Sequence, residues 1–336
     1  MKKAVILLGS LLTAASLALG GYIFYARANQ PEPDKTGNSN INVMLARPDN
    51  WRQIAAGPVI SRSELSGIID GSTATIPITA ELLRQFYGLT DAEVQGSPEV
   101  QHATTHTAYE CLLNPVYREK ISPGLILVTP PSAEELALAE QNGVEMELVP
   151  VAADGFVFIT HKDNPVDSLT VKQIRDIYRA AAGTITNWSQ VGGQNKAIRA
   201  YQREQNSGSQ TAMEQLVMAG RRMRPPIKAE WYSGMGGLVD AVAEYENGPA
   251  SIGYTYYYYI NNLYKNENIK ILHIDGVEPN NENFISGAYP FTTAYYAVIR
   301  SDEPENSPAR RLRDYLISPE GQEIIEMAGY CRAGEG

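Results

Sequence analysis

The feature that most constrains the fold is an alternation of short apolar runs with amphipathic helical patterns, which begins near residue 60. Residues 124–129 (GLILVT) and 155–160 (GFVFIT) are typical of buried strands. Ser132 and Glu135 have the spacing of a capping box, which marks the start of a helix. Because strands that alternate with helices are typical of α/β proteins, we predict an α/β fold.

The N-terminus has the pattern of an export segment. Lys2 and Lys3 precede an uncharged run over residues 4–25, and the Ala-Arg-Ala of residues 26–28 suits a signal peptidase. The run is also long enough to span a bilayer, so residues 1–28 are either a cleaved signal peptide or an uncleaved anchor. No cysteine lies nearby, which excludes a lipid-modified N-terminal cysteine. We expect the rest of the chain to be extracytoplasmic, either periplasmic or at the cell surface.

Residues 29–59 read as a linker, because residues 29 to about 50 are rich in Pro, Asn, Asp and Gly. The whole chain has a formal net charge of -10. Such a charge repels nucleic acid and anionic membranes, so we predict neither as a partner. It also repels a small anion at long range, so an anion site in this chain depends on local donors.

Two features leave alternatives open. Cys111 and Cys331 are too few for a disulfide framework, but an exported protein could join them in one bridge or keep both as packed thiols. The cluster YTYYYY at residues 254–259 could stack on a sugar or a base. The interpretation we favour places its rings half in the core with the hydroxyl groups at the surface.

The strongest local signal is the sequence REQNSGSQ, which begins at Arg203 and precedes a helical pattern. Ser207 suits the N-cap, and the first N–H groups of a helix together with its dipole attract anions. Gly208 lets a ligand approach the backbone, Ser209 adds a hydroxyl group, and Arg203 adds a planar charged fork. The alternative is a capped helix with a surface arginine.

Two further hydroxyl-rich turns precede helical patterns. One is DGSTATIP at residues 70–77, ahead of a helical pattern over residues 80–87, and the other is TTHT at residues 104–107. If the three turns met in one cleft, they would supply many donors to a dehydrated anion. Spacing alone does not decide whether they meet.

Competing chemistry has weak support in the sequence. His102 and His106 have an i,i+4 spacing that could hold a metal on a helix, but the two threonines between them are poor helix formers and no glutamate lies where a zinc hydrolase needs one. The chain has no G-x-S-x-G, CxxC or P-loop sequence. We therefore predict no metal, no cofactor and no enzyme activity.

Several segments together resemble one family. They are DGSTATIPIT, HKDNPVDSLTVKQIRDIYRAAAGTITNWSQVGG, RxxxSGS, ASIGYTYYYY and SPEGQEIIEMAGY. These segments are similar to PstS-like phosphate-binding proteins, the receptors of bacterial phosphate ABC importers, and the resemblance covers about residues 65–330. It implies a two-lobed type II periplasmic-binding fold in which the chain crosses twice between lobes, near residues 149–151 and 252–255. Lobe 1 would then hold residues 60–150 plus 255–330, and lobe 2 would hold residues 151–254.

The resemblance also implies a function and a set of ligand contacts. The chain would capture phosphate, or a related tetrahedral oxyanion, between the lobes and deliver it as a monomer to the permease subunits of an importer. A membrane-tethered sensor or scavenger of the same fold is the alternative, and an extracytoplasmic enzyme is a weaker one. The implied ligand contacts are Ser72, Thr73, Thr75, the Ile76 amide, Thr105, Arg203, Ser207, Gly208 and Ser209.

Two departures from the family pattern concern specificity. Ser209 stands where the family usually has threonine, which keeps the hydroxyl group. Many relatives also carry an aspartate after the strand near residues 125–129, to accept a hydrogen bond from protonated phosphate. Here residues 128–131 are VTPP, and Asp70 or Asp154 could supply the acceptor or simply cap a turn. Without an acceptor, we expect phosphate to be separated from sulfate less sharply.

Overall fold

The computed structural model describes residues 47–333, apart from residues 55–56, 115–122, 180–183, 227–230, 233 and 245–247. The predicted export segment lies outside these ranges, as does most of the predicted linker. Within the described ranges, no helix combines the length and the apolar character that crossing a membrane requires.

The helices alternate with strands over most of the described chain, as predicted. The α-helices are α1 (Arg62–Ile68), α2 (Ile76–Tyr87), α3 (Asp91–Gln95), α4 (Thr105–Leu113), α5 (Ala133–Gln141), α6 (Val171–Tyr178), α7 (Gly208–Ala212), α8 (Met235–Ala243), α9 (Asn281–Ile285), α10 (Pro308–Leu316) and α11 (Pro319–Met327). Short 3-10 segments are Thr73–Thr75, Pro98–Val100, Trp188–Val191 and Gly248–Ala250, and π-helical segments are Met213–Met218 and Tyr259–Leu263.

The strands form one large mixed sheet and two small pairs. They are β1 (Ile69–Gly71), β2 (Leu125–Val128), β3 (Met146–His161), β4 (Ser168–Leu169), β5 (Arg199–Ala200), β6 (Gln202–Arg203), β7 (Trp231–Tyr232), β8 (Ser251–Tyr256), β9 (Ile269–Ile271), β10 (His273–Ile274), β11 (Thr292–Arg300) and β12 (Cys331–Arg332). The large sheet has the order β1-β2-β11-β3-β8-β5, and β12 and β9 also pair with β3.

The long strand β3 organises the molecule, because it changes partner along its length. Residues 146–155 pair with β11, and residues 156–160 pair with β8. We call β1, β2, β11 and the helices around them the first part of the fold, and β8, β5, β9 and the helices around them the second part. The partner change falls between Gly155 and Phe156, so the chain passes from one part to the other at that point.

Local sequence signals explain most element boundaries. Strand β2 is buried on both faces, as its apolar run predicted, and the Ser132–Glu135 capping box forms at the start of α5. The predicted strand over residues 155–160 is the second half of β3, which begins earlier because residues 146–155 pair with β11. Helix α2 begins at Ile76 rather than residue 80, because Pro77 is accommodated in its first turn.

The two cysteines are free thiols. Cys111 is partly buried and Cys331 is buried. Burial raises the pKa of Cys331 to about 11, so this thiol is protonated at neutral pH. The packed-thiol alternative is therefore the one that the structure adopts.

Candidate functional site

The first predicted turn lies at one edge of the large sheet. Strands β1 and β2 are parallel, with Gly71 opposite Leu127, so their carboxyl ends meet at the same edge. Ser72 follows β1 and Thr129 follows β2 at this edge. In open α/β sheets, this is the edge where ligands bind.

The donors of the first turn bond within the protein. The Ser72 amide donates to the Leu127 carbonyl at 2.9 Å, and the Thr75 hydroxyl donates to the same carbonyl at 2.7 Å. Thr75 is fully buried, and the Ile76 amide donates to the carbonyl of Thr73, which is itself partly buried. These contacts fix the turn firmly against β2.

His102 holds the same turn from the other side. Its Nδ1 lies 2.9 Å from the Ser72 carbonyl and its Nε2 lies 3.0 Å from the Thr79 hydroxyl. A carbonyl only accepts, so Nδ1 carries the proton and Nε2 accepts from Thr79. Burial lowers the pKa of His102, and the Ser72 carbonyl and the Asp70 charge offset this only in part. Neutral His102 therefore ties the first turn and helix α2 to the segment that precedes α4.

The second turn begins helix α4. Thr104 caps the helix by accepting from the Thr107 amide, and Thr105 is its first residue. Thr105 is 7% exposed, and its hydroxyl group makes no hydrogen bond within the described ranges. The His106 side chain contacts Glu135, and its Nδ1 lies 2.9 Å from the carboxylate. Hydrogen bonding to Glu135 raises the pKa of His106.

The third turn contains a buried ion pair between neighbours. Arg203 is 6% exposed, and its Nε and Nη2 donate to the two carboxylate oxygens of Glu204 at 2.9 and 2.8 Å. Burial acts to lower the pKa of Arg203, but the Glu204 charge overcomes it and the pKa is raised. Burial acts to raise the pKa of Glu204, and Arg203 lowers it overall. Both side chains are therefore charged.

Helix α7 begins at the third turn as predicted. Ser207 is the N-cap and accepts from the Gln210 amide at 3.2 Å, while Asn206 before it adopts a left-handed φ of 64°. Gly208 is buried, and Ser209 is 2% exposed with no side-chain hydrogen bond in the described part of the chain. The helix continues through the π-helical segment Met213–Met218. The third turn therefore keeps an unpaired hydroxyl group at a helix start.

Two tyrosines hold the third turn from behind. The Tyr254 hydroxyl accepts from the Arg203 amide at 3.0 Å and contacts the Gln210 side-chain oxygen, and the Tyr256 hydroxyl donates to the Gly208 carbonyl at 3.0 Å. Our interpretation of residues 254–259, with hydroxyl groups at the surface, is wrong for these two, whose hydroxyl groups bond inside the protein. The cause is that the third turn supplies buried partners, which sequence spacing does not reveal.

The second and third turns meet across the two parts of the fold. A Cβ atom on Gly208 would lie 2.9 Å from the Thr105 hydroxyl oxygen and 2.5 Å from that of Thr129. Two further contacts join the two parts nearby, at α5 and the segment before it: Asn206 donates to Glu134 at 2.6 Å, and Gln215 donates to the Pro131 carbonyl at 2.9 Å. These distances describe a closed cleft in which only glycine fits at position 208.

The acids considered as proton acceptors are bonded to backbone amides. Asp70 accepts from the amides of Gly71 and Ala103 at 2.7 and 2.8 Å. Asp154 accepts from the Gly155 and Tyr258 amides and from the Tyr295 hydroxyl, where β3 changes partner. Burial raises the pKa of Asp154 to about 7. Both acids therefore stabilise turns or the junction between the two parts.

Sequence reasoning missed Thr129, Tyr254 and Tyr256 as parts of the site. Thr129 entered the sequence analysis only because many relatives carry an aspartate near this position. Its place directly after β2 puts it at the edge of the sheet where ligands bind in open α/β folds. Tyr254 and Tyr256 are two residues apart in one strand, so their side chains share a face. This spacing could have indicated that the two tyrosines act together.

Comparison with known proteins agrees with this architecture. The family described as the PBP superfamily domain matches residues 61–320. The phosphate-binding protein PstS of Pseudomonas aeruginosa is 24% identical over 211 residues, which are 58% of this chain and 62% of that protein. The PstS of Borreliella burgdorferi is 24% identical over 271 residues, 78% of this chain and 88% of that protein. The recognition of a PstS-like chain is thereby confirmed.

Solved structures have the same fold. A phosphate ABC transporter substrate-binding protein from Clostridium perfringens, solved with bound phosphate, is 26% identical with a TM-score of 0.57, over 79% of this chain and 98% of that one. An ABC-type phosphate transport receptor from Vibrio cholerae is 22% identical with a TM-score of 0.54, over 79% and 99%. The α/β, two-lobed periplasmic-binding fold is thus confirmed, and the match over residues 61–320 shows that the chain belongs to the PBP superfamily domain family.

Proposed function

We propose that this protein is an extracytoplasmic solute-binding protein that captures inorganic phosphate, or a related tetrahedral oxyanion, between its two lobes. The observation that carries the proposal is the meeting of Thr105 and Thr129 with Gly208 at the start of α7. Among the described residues, the Thr129 hydroxyl oxygen is buried without a hydrogen-bond partner, Thr105 is 7% exposed, and a helix start adds N–H donors. Donors of this kind, buried without partners, suit a dehydrated anion.

The buried guanidinium of Arg203 supports a ligand with acceptor oxygens, such as an oxyanion. Arg203 is buried next to this turn, and Glu204 neutralises it in the described structure. Arg203 contacts Glu204 through its Nε and Nη2 atoms, so its Nη1 group keeps donor capacity for a ligand oxygen. We infer that Arg203, Ser207, Gly208 and Ser209 form the ligand contacts of lobe 2, with Thr105 opposite.

The first turn has fewer groups left for a ligand than the third turn. Ser72, Thr73, Thr75 and the Ile76 amide were expected as ligand contacts, and the hydroxyl of Thr75 and the amides of Ser72 and Ile76 bond within the protein. We propose that this turn mainly braces the edge of lobe 1. The lobes would be residues 60–150 plus 255–330 and residues 151–254, joined through β3 and β8.

Delivery to an importer is part of the proposal. The Clostridium perfringens structure is described as a transporter's substrate-binding protein, and the curated relatives are named phosphate-binding proteins. These descriptions support a role as a receptor for permease subunits. Closure of the lobes over the ligand would signal occupancy to that partner.

Calorimetric titration of the purified, ligand-stripped chain with phosphate tests the proposal. We expect saturable binding, and we expect Arg203→Ala to weaken it roughly 100-fold because a charge-assisted contact is lost. Arg222→Ala, which removes an exposed arginine, is the matched control and should leave binding unchanged. A folded protein that binds no tetrahedral oxyanion would refute the proposed function.

A further inference from the structure

Thr129 carries a buried hydroxyl group that has no hydrogen-bond partner among the described residues. The residue is 1% exposed, and its Oγ1 makes no hydrogen bond of normal geometry with the described residues. Its main chain is fixed, because the Tyr109 hydroxyl donates to its carbonyl at 2.9 Å. Buried hydroxyl groups are nearly always paired, since desolvation is otherwise not repaid. Such a group at a ligand-binding edge indicates a partner that arrives from outside.

The hydroxyl group faces the candidate site. Its oxygen would lie 2.5 Å from a Cβ on Gly208, close to the Thr105 oxygen at 2.9 Å from the same point. Thr129 and Thr105 therefore approach the start of α7 together from lobe 1. A ligand oxygen held by that helix start would lie between them.

The neighbouring tyrosine does not satisfy Thr129. The Tyr256 hydroxyl already donates its proton to the Gly208 carbonyl at 3.0 Å. Burial raises the pKa of Tyr256, and the nearby Thr129 hydroxyl offsets this only in part. The two oxygens are thus close without a hydrogen bond of normal geometry between them.

The carboxylates around this edge bond to other groups. Glu135 accepts from the Ser132 amide and faces His106, Glu204 pairs with Arg203, and Asp154 accepts from two amides and Tyr295. Asp70 accepts from the amides of Gly71 and Ala103. Thr129 is therefore the polar side chain after β2 that faces the start of α7.

A hydroxyl group can donate or accept, whereas a carboxylate only accepts and repels a second anion. Thr129 could accept from the P–O–H of hydrogen phosphate, or donate to an unprotonated oxygen of sulfate. We propose that Thr129 contacts the bound oxyanion and sets its selectivity, so that the site accepts tetrahedral oxyanions whether or not they carry a proton. This inference rests on the proposed function of the same site.

Competition calorimetry with phosphate and sulfate on the purified chain tests the inference. In the wild-type protein, we expect the two dissociation constants to agree within about tenfold, the size of one neutral hydrogen bond. Thr129→Asp should keep phosphate binding and weaken sulfate binding roughly 100-fold further, through repulsion and a missing donor. Thr129→Val should weaken both anions by about tenfold.

Thermal unfolding without ligand separates ligand contact from a structural role. We expect Thr129→Val not to lower the unfolding midpoint, because it removes an unpaired hydroxyl group. Thr160→Val is the matched control: its buried hydroxyl donates to the Ser251 carbonyl at 2.7 Å, so the midpoint should fall while binding is unchanged.

The outcomes distinguish this inference from the proposed function. Phosphate binding that excludes sulfate at a thousandfold excess, or that Thr129→Val leaves unchanged, overturns the role of Thr129 and leaves the receptor proposal standing. Binding of neither anion by folded wild-type protein overturns both. Similar affinities that diverge in Thr129→Asp support the inference.

Discussion

The turn at residues 70–76 and the turn at residues 203–209 look alike in sequence, but their polar groups are used differently. Both contain glycine and hydroxyl side chains and both precede a helix. In the first turn, Thr75 and the Ser72 amide bond to the Leu127 carbonyl. In the turn at residues 203–209, the third turn, Ser209 is buried with no side-chain hydrogen bond in the described ranges. The first turn thus uses these polar groups within the protein, whereas the third turn keeps a side-chain donor without a partner among the described residues.

The difference comes from what lies beside each turn. The first follows a strand whose parallel neighbour presents an in-register carbonyl, and its donors are taken up there. The third turn is held from behind by Tyr254 and Tyr256, whose hydroxyl groups bond its backbone, and the Ser209 side chain has no hydrogen bond among the described residues. Composition predicts polar turns, but the neighbouring backbone decides whether a turn has donors left for a ligand.

Gly208→Ala should have the largest effect on ligand binding. The new methyl would meet the hydroxyl groups of Thr105 and Thr129 across the cleft, so the lobes could not close fully. We expect phosphate affinity to fall roughly 100-fold or more, the effect of about 1 Å of misplacement. Small-angle scattering with phosphate should show a larger radius of gyration than for wild type.

The fold should tolerate Gly208→Ala, because the clash lies between lobes that can separate. The ligand-free unfolding midpoint should therefore match wild type. Gly96→Ala is the control, since its added Cβ would make only ordinary contacts, at 3.6 Å from the Ala92 carbonyl. Wild-type affinity in Gly208→Ala would contradict the closed-cleft geometry.

Gly71→Ala should lower the stability of the fold, whereas Gly208→Ala should lower ligand affinity. Its Cβ would lie 2.3 Å from the Leu127 carbonyl oxygen, inside one sheet where neither backbone can move away. We expect a loss of about 3 kcal/mol in the free energy of unfolding, the upper range for overpacking. Denaturant titration measures it, and Gly67→Ala in α1, with nothing within 4 Å, should cost no stability.

Much of the fold was predictable from the sequence, because it depends on local signals. The apolar run of β2, the Ser132–Glu135 box and the Ser207 cap each act over a few residues. The sixteen-residue length of β3 was not predictable, because its first half is specified by pairing with β11, about 140 residues away in the chain. Strand propensity and residue spacing do not predict pairing between segments that are so far apart in the sequence.

The site was predictable as three turns, but not in how their groups are used. The resemblance named Thr105 and Gly208, which lie together, whereas Thr129 was considered only as part of the segment VTPP, which lacks the aspartate of many relatives. Hydrogen-bond saturation is a property of tertiary neighbours, so the sequence could not separate the bonded Thr75 from the unbonded Ser209. The inward hydroxyl groups of Tyr254 and Tyr256 were missed for the same reason.

Removing one hydroxyl group from each turn should have smaller effects on binding and on stability. Ser209→Ala should weaken phosphate binding by about tenfold and leave stability unchanged, because its hydroxyl bonds nothing in the described ranges. Thr75→Val should lower the free energy of unfolding by about 1–2 kcal/mol, since the Leu127 carbonyl loses a donor. Calorimetry and denaturant titration on both variants measure the two effects. If Thr75→Val weakens binding without loss of stability, the first turn is a donor set and the contrast is wrong.

The smallest expected effect is a pH dependence that belongs to the first turn. Burial lowers the pKa of His102 below its ordinary value, so the folded protein holds it neutral while the unfolded chain binds a proton below about pH 6.5. Stability is therefore lost as the pH falls from about 7 towards the folded pKa, by at most about 1.4 kcal/mol per pH unit. His106 has a raised pKa and contributes with the opposite sign, so the difference between wild type and His102→Gln isolates His102. Denaturant titrations at pH 7.5 and 5.5 should show that His102→Gln loses less stability on acidification than wild type does. Equal slopes for wild type and His102→Gln would mean that the brace does not depend on a neutral imidazole.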